Sequence, residues 1–201
     1  MHIRSEAELR TLYGYPKERA RDKLITSLEQ HSINFIQHSP FLTISTYGIT
    51  GLVDSSPRGG HPGFVKILDE GCILIPEAKG NNRLDSLVNI VETGGVGCLF
   101  LIPGVDETLR INGTACISVK PEHLALFTEE QHMPKSCIEI SIKEIFLHCA
   151  KALMRSQLWS TSSKIDRTEL PTMGVMINDQ LGKADKPESQ EEMVKRYQAS
   201  L

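Results

Sequence analysis

The chain has 201 residues, of which 40% are hydrophobic and 23% are charged, and its formal net charge is −3. This length suits one domain with short terminal additions, and the small negative charge gives no general attraction for nucleic acid or an anionic membrane surface. No apolar run approaches the ~18 residues of a membrane helix, and residues 1–10 lack the apolar core of a signal peptide.

The five cysteines are an odd number, and no Cys-x-x-Cys pair occurs among them. Four of them lie inside apolar runs, at Cys72, Cys98, Cys116 and Cys137. This placement predicts reduced, buried thiols in a cytoplasmic protein and no metal site on these residues.

The chain begins with two predicted helices. Ser5 and Glu8 match a capping box, which predicts a short helix, and residues 16–30 are interpreted as a second helix. We therefore expect residues 1–34 to form a helical extension, residues 35–160 a β-rich domain, and residues 161–201 a helical tail. The tail contains a predicted helix over 167–180, and its charged end beyond residue 182 is expected to be flexible.

Short β-strands joined by tight turns dominate the middle of the chain. The predicted strands are 41–46, 51–55, 64–68, 72–75, 96–102, 108–119 and 136–147. The run 96–102 is apolar throughout, which predicts a fully buried strand. One helix lies between the strands. The pattern indicates a mainly β (α+β) fold, a closed or split β-barrel of six or more antiparallel strands with helices at the N-terminus, between strands and at the C-terminus.

The segment between Ile75 and Leu87 has the features of a phosphate site. A strand ends, a turn carrying a glycine follows, and a helix is predicted from Arg83 to about residue 92, with Asn81 or Asn82 as its N-cap. Its apolar residues recur at helical spacing, at Leu84, Leu87, Val88 and Val91. Free backbone N–H groups, the positive end of the helix dipole and a guanidinium would then meet in one place. The alternative is that Arg83 is a solvated surface residue.

A second basic segment, residues 54–63, combines serines, an arginine and three glycines and is interpreted as a turn. Ser56 and Arg58 supply donors suited to phosphate oxygens, and Gly59 lets the backbone approach a ligand closely. The alternative is a plain connection between strands. The spacing matches neither a Walker loop nor a Gly-x-Gly-x-x-Gly dinucleotide turn, which disfavours those nucleotide folds.

Several motifs together resemble the pyridoxamine 5′-phosphate oxidase-like FMN-binding proteins, in a bacterial branch of that superfamily rather than the true oxidase. The motifs lie at residues 54–59, 62–65, 75–76, 80–87, 99–104, 108–113 and 148–159. Their order along residues 35–180 implies the split β-barrel of the family and FMN as the cofactor. The β-rich domain, 35–160, is then the FMN-binding domain.

The resemblance also implies roles for particular residues. Arg83, with Asn81 and Asn82, would hold the FMN phosphate, and the segment with Ser56, Arg58 and Gly59 would lie along the cofactor. The pyridoxamine phosphate oxidases carry Ser-Arg-Lys where this chain has Asn81-Asn82-Arg83. One of two basic residues is therefore missing, which leaves Arg58, Lys151 or Arg155 as candidates for the second charge.

A basic segment near residue 150 is a further candidate. Lys151, Arg155 and Trp159 fall at i, i+4 and i+8 of a helix predicted over 150–158. They either close the flavin site or form a basic surface stripe beside a core tryptophan. Family members bind FMN at a two-fold interface, so the resemblance implies a homodimer, and these groups could come from either subunit. Arg110, in the middle of a predicted strand, either points at the cofactor or faces solvent.

No catalytic residue is identified, because neither a Ser/His/Asp arrangement nor an HExxH helix stands out. The resemblance implies an FMN-dependent oxidoreductase that passes a hydride from a reduced donor, such as a reduced nicotinamide, through flavin N5 to a small acceptor. The alternative is a non-catalytic flavin-binding protein for storage, sensing or stress. A split barrel that uses deazaflavin or haem is a third possibility.

Overall fold

Seven antiparallel strands form one sheet in the computed structural model, which describes residues 2–128 and 132–198. The order across the sheet is β2-β1-β5-β6-β7-β4-β3. The strands are β1 (Phe41–Tyr47), β2 (Val53–Gly59), β3 (Lys66–Asp69), β4 (Cys72–Pro76), β5 (Gly95–Leu101), β6 (Thr108–Ser118) and β7 (Cys137–His148). The predicted fold class, a mainly β (α+β) split barrel, is confirmed.

Eight α-helices flank this sheet in the described part of the chain. They are α1 (Glu6–Tyr13), α2 (Glu18–Asp22), α3 (Gln30–His38), α4 (Asp85–Thr93), α5 (Pro121–Leu124), α6 (Lys151–Ser156), α7 (Met173–Leu181) and α8 (Gln190–Gln198). None of these helices combines the length and the apolar character that crossing a membrane would require.

The main core lies where alternate residues of neighbouring strands meet, and a smaller separate cluster contains Leu74, Phe127 and Cys137. Val96, Cys98 and Phe100 of β5 are buried, whereas Leu99 and Leu101 are only half-buried. The prediction of a fully buried strand is therefore wrong here. The reason is that β5 lies between β1 and β6, with one face toward the core and the other toward the outside of the sheet.

The helix predicted over residues 16–30 is interrupted by long-range pairing. Ile25 exchanges two backbone hydrogen bonds with Ile145 of β7, at N···O distances of 3.1 and 2.8 Å. The Leu28 N–H donates to the Glu70 carbonyl at 2.6 Å. These bonds hold the segment extended, so α2 ends at Asp22, and α3 begins only where the Glu29 carboxylate caps its first turn.

The start of α4 also differs from the prediction. The helix begins at Asp85, and its N-cap is Leu84, which has a φ of 60° and makes no side-chain capping bond. Asn82 likewise has a positive φ of 61°. The Asn81 side-chain oxygen accepts from the Arg83 N–H at 3.1 Å, within the preceding turn. The prediction that Asn81 or Asn82 caps the helix is therefore wrong, because Leu84 occupies the N-cap position.

The face of α4 that packs on the sheet carries polar contacts. The Ser86 hydroxyl donates to Asp54 of β2 at 2.6 Å, and the Asn89 amide donates to the Thr46 hydroxyl of β1 at 3.0 Å. The predicted apolar face points largely away from the sheet, with Leu84, Val88 and Val91 exposed and Leu87 half-buried.

The C-terminal helices are shorter than predicted. α6 ends at Ser156, and Gln157 takes a left-handed conformation with a φ of 50°, so Trp159 leaves the helical face of Lys151 and Arg155. α7 begins only at Met173, after Pro171, where the Thr172 hydroxyl accepts from the Val175 N–H. α8 lies in the charged segment beyond residue 182, and residues 199–201 lie outside the described part of the chain.

A close contact between β6 and β7 provides a test of the fold. A Cβ built on Gly113 would overlap the Ser141 carbonyl oxygen of the neighbouring strand. Gly113→Ala should therefore lower the free energy of unfolding by about 1–3 kcal/mol, the usual cost of overpacking. Urea denaturation measures this change.

Gly80→Ala is the matched control, because the nearest atom to its added Cβ, the Ala78 carbonyl oxygen, lies 4.0 Å away. Its free energy of unfolding should change by less than about 0.5 kcal/mol. Equal denaturation midpoints for the two variants would contradict the β6–β7 packing described here.

Candidate functional site

β2 carries polar side chains on its inward face. The strand predicted over 51–55 continues to Gly59, so the prediction of a turn within 54–63 is wrong for residues 56–59. Along it, Asp54, Ser56 and Arg58 are the half-buried positions, and the residues between them are exposed. Pro57 is tolerated because β2 is the edge strand of the sheet. In the sequence, the alternate positions of Asp54, Ser56 and Arg58 are the pattern that indicates this strand.

A cavity of about 980 Å³ opens where β2 ends, where the chain leaves β4, and where α4 begins. We call it the basic pocket. Its wall contains five of the residues predicted from the sequence, namely Ser56, Arg58, Gly59, Asn81 and Arg83. It also contains charged residues that the sequence analysis did not select, namely Glu77, Lys79, Asp85 and Arg196.

An ion pair between Arg58 and Glu77 crosses one side of the basic pocket. The Arg58 Nη2 atom lies 3.4 Å from Glu77 Oε2, and the two side chains are only 16% and 22% exposed. Burial raises the pKa of the Glu77 carboxyl, and the Arg58 charge opposes that rise. Arg58 Nε and Glu77 Oε2 are buried, and neither makes a hydrogen bond in the described part of the chain, although Oε2 is the atom that forms the ion pair with Arg58 Nη2.

These two buried atoms define the chemistry that the pocket can bind. A buried donor or acceptor without a partner costs about 1–3 kcal/mol. An anionic oxygen would accept from Arg58 Nε, and a hydroxyl would donate to Glu77 Oε2. The arrangement therefore fits a ligand that carries a phosphate and hydroxyl groups on one chain.

A hydrogen-bonded carboxylate joins two walls of the basic pocket. Asp54 accepts from the Ser56 hydroxyl at 3.0 Å and from the Ser86 hydroxyl at 2.6 Å. Both serines line the pocket, one on β2 and one in the first turn of α4. This contact fixes the beginning of α4 against the strand that carries Arg58.

Arg83 lies in the exposed rim of the pocket wall. Its side chain is 74% exposed, and its Nε donates to Asp85 at 2.9 Å, a contact that raises the pKa of the guanidinium. Asn81 also lines the pocket, whereas Asn82 does not. Arg83 and Arg58 therefore line the same pocket. The Arg83 guanidinium, however, is paired with the carboxylate of Asp85.

Arg110 lies outside the basic pocket. Its guanidinium sits 5.7 Å from the centre of the Phe146 ring, and its Nε donates to the Asn112 side-chain oxygen at 3.3 Å. It borders a shallow groove whose wall includes Gly95 and Gly97 of β5. Within one protomer this residue and Arg58 therefore belong to separate surfaces.

Lys151, Arg155 and Trp159 lie outside the wall of the basic pocket in the same protomer. The two basic side chains are exposed on α6, and the Trp159 indole N–H donates to the Val105 carbonyl at 2.9 Å. That bond attaches the segment after α6 to the loop between β5 and β6. The site residues predicted from the sequence therefore lie in three separate places of one chain: the basic pocket, the groove beside Arg110 and the segment around α6.

The five cysteines are all free thiols. Cys98 and Cys137 are buried as predicted and Cys72 is half-buried, but the prediction is wrong for Cys116, which is exposed on the outer side of β6. Burial raises the pKa of Cys72 to about 11. This thiol is therefore protonated at neutral pH and is a poor nucleophile.

Comparisons with known proteins agree with this architecture. The family model described as pyridoxamine 5′-phosphate oxidase matches residues 28–149. No curated protein sequence matches the chain. The crystal structure of HupZ from Group A Streptococcus matches with a TM-score of 0.51 at 17% identity, over 60% of this chain and 93% of that chain, which shows a shared fold.

A second solved structure, the FAD binding protein from Mycobacterium smegmatis, matches with a TM-score of 0.43 at 13% identity, over 62% of this chain and 97% of that one. The family match itself spans more than half of the chain and includes all seven strands. It confirms the resemblance that the sequence motifs indicated. The chain therefore belongs to the pyridoxamine 5′-phosphate oxidase family.

Proposed function

We propose that the protein binds FMN, with the phosphate and the ribityl chain in the basic pocket. This proposal rests on two buried atoms that make no hydrogen bond in the described part of the chain, Arg58 Nε and Glu77 Oε2. FMN supplies phosphate oxygens for the first atom and ribityl hydroxyls for the second. Membership of a family of flavin-binding split barrels supports the same cofactor.

Each residue of the pocket has a distinct role in this proposal. Arg58 holds the phosphate with a charge-assisted hydrogen bond, and Ser56 adds a hydroxyl on the same strand face. Glu77 orients the ribityl chain. Arg83 contributes charge at the rim, beside the N-terminal end of α4, whose dipole favours an anion. Gly59, also in the wall, gives the ligand access to the backbone.

We infer that the activity is oxidoreduction, with a small acceptor and a reduced donor such as a reduced nicotinamide. Bound FMN supplies hydride transfer at N5, and the protein supplies binding, orientation and electrostatics. No acid, base or nucleophile of the chain is assigned to the reaction. The second candidate, a non-catalytic flavin-binding protein, has the same pocket and differs only in its response to electron donors.

The exposed face of α4 supports a homodimer. Ile49, Leu52, Val53, Val88 and Val91 are each at least half exposed, and we call them the apolar patch. The patch combines the β1–β2 hairpin with α4, the elements that also form part of the basic pocket. A second copy on this patch would bury apolar surface. Lys151, Arg155 and Trp159 are then groups that the second copy would contribute.

The cofactor and the reaction class are tested together. The purified or reconstituted protein should release FMN, not FAD, on denaturation, as identified by mass spectrometry. For an oxidoreductase, the visible flavin absorption should bleach when a reduced nicotinamide is added without oxygen. Recovery of FAD or of no flavin would contradict the cofactor proposal. A stable FMN spectrum with every donor tested would favour the non-catalytic alternative.

Arg58→Ala tests the pocket directly. Losing a hydrogen bond from a charged group should weaken FMN binding by roughly 1.5–3 kcal/mol, which is about tenfold to over a hundredfold in the dissociation constant. Arg83→Ala should have a smaller effect, because its guanidinium is largely exposed and paired. Titration of apo-protein by flavin fluorescence measures both values. Lys143→Ala, an exposed change on β7 outside the pocket wall, is the control.

Equal affinities for the Arg58→Ala and Lys143→Ala variants would place the phosphate elsewhere. A larger loss for Arg83→Ala than for Arg58→Ala would move the phosphate site to the rim of the pocket.

The homodimer is tested on the apolar patch. Val91 is 76% exposed in the protomer, and burying such a side chain stabilises an interface by about 1.5–3 kcal/mol. Val91→Asp should therefore weaken the dimer at least tenfold and shift the light-scattering mass toward that of one chain. Val119→Asp, an exposed valine outside the patch, should leave the mass unchanged. A wild-type protein that scatters as a monomer would exclude the dimer.

A further inference from the structure

The C-terminal tail reaches the basic pocket. Arg196 and Tyr197 of α8 line the same cavity as Arg58, although the sequence analysis treated this segment as a charged, flexible end. The pocket therefore has a wall that comes from outside the strands and from outside the matched family region, residues 28–149. The contribution of this wall to ligand binding depends on how α8 is held in place and on which charged side chains α8 places in the cavity.

The start of α8 is attached to α7 by close packing and hydrogen bonds. A Cβ on Gly174 would lie 2.6 Å from the Glu188 carbonyl oxygen, so only a glycine lets the two segments approach this closely. The Thr172 hydroxyl donates to the same carbonyl at 3.4 Å, and Arg167 donates to the Gln190 side chain at 3.1 Å. The two helices thus form one hairpin.

Arg196 is oriented by a bidentate contact with Glu188. Its Nε and Nη2 atoms donate to the two carboxylate oxygens at 2.9 and 2.8 Å. The hydrogen bonds lower the pKa of the Glu188 carboxyl, so the carboxylate is ionised at neutral pH. The guanidinium is 57% exposed, which leaves it room for a further acceptor.

The position of the counter-ion distinguishes Arg196 from the other arginines of the pocket. Arg58 and Arg83 pair with Glu77 and Asp85, and both of those carboxylates line the cavity themselves. Glu188 does not line the cavity, whereas Arg196 does. A ligand anion in the pocket therefore meets the positive end of this pair and not the negative one.

We propose that Arg196 is a second phosphate-binding residue of the basic pocket, delivered by the α7–α8 hairpin. The inference rests on the proposed function, since the anion concerned is the phosphate of the flavin. The proposed contact also has a consequence for the C-terminal tail. If the phosphate contacts Arg196, binding of the ligand and docking of α8 stabilise each other by the same free energy.

The test separates the phosphate from the rest of the ligand. Wild type, Arg196→Ala and Lys195→Ala are each titrated with FMN and with riboflavin, which lacks the phosphate. Arg196→Ala should weaken FMN binding about tenfold or more, as expected for loss of a charged hydrogen-bond donor, and leave riboflavin binding within about twofold. Lys195→Ala, an exposed neighbour outside the pocket wall, should change neither affinity.

Glu188→Gln distinguishes a phosphate contact from a purely structural ion pair. This variant removes the counter-ion and keeps Arg196, so it should bind FMN at least as tightly as wild type. If Glu188→Gln reproduces the loss seen in Arg196→Ala, or if Arg196→Ala weakens FMN and riboflavin equally, Arg196 acts only by holding the tail in place and the proposal is wrong.

Proteolysis gives an independent measurement of the linkage. FMN should slow tryptic cleavage after Lys183, in the segment between α7 and α8, and riboflavin should not. The same protection by both flavins would contradict a phosphate contact. Failure of wild type to bind FMN at all would overturn the proposed function, whereas equal FMN affinities of wild type and Arg196→Ala would overturn this inference alone.

Discussion

The Arg58–Glu77 pair is the interaction on which the candidate site depends. β2 is one edge of the sheet, and β4, which Glu77 follows, lies next to the other edge. No strand pairing joins β2 to β4 in the described residues, so the ion pair spans the opening of the split barrel. A half-buried ion pair is weak support for stability, because desolvation offsets most of its Coulombic attraction. The geometry of the pair leaves Arg58 Nε and Glu77 Oε2 without a hydrogen bond at the cavity wall. A bound ligand could supply both hydrogen bonds, so the pair favours binding more than folding.

The second constraint is the direction in which α4 faces. A helix on a sheet normally buries its apolar side. Here the packed side combines buried Ile90 with polar contacts to Asp54 and Thr46, and the exposed side carries Val88 and Val91. The polar attachment positions the start of the helix beside β2, where the pocket forms. The exposed apolar side is the surface on which a second copy of the chain would pack in the proposed homodimer.

The sequence predicted several parts of the site for reasons that the structure explains. Ser56, Arg58, Gly59, Asn81 and Arg83 do line one cavity, because two short segments with turn residues end at the same opening of the sheet. Glu77 and Arg196 carry no sequence signal that marks them as site residues. Glu77 follows a strand with no distinctive spacing, and Arg196 belongs to a charged helix more than a hundred residues after Arg83. Only the folding of the α7–α8 hairpin brings that helix to the cavity.

Local sequence patterns by themselves determined the strand-rich core, the hairpin turns, the capped first helix and the family. These features depend on neighbours within a few residues, so alternation, turn chemistry and motif order are sufficient to predict them. The tertiary structure alone decided where residues 16–30 stop being helical, how far β2 extends, which side of α4 is buried and which charges meet in the pocket. In each case the deciding contact joins distant parts of the chain, such as Ile25 with Ile145 or Arg58 with Glu77. No local pattern encodes such a contact, because its free energy exists only once both partners are in place.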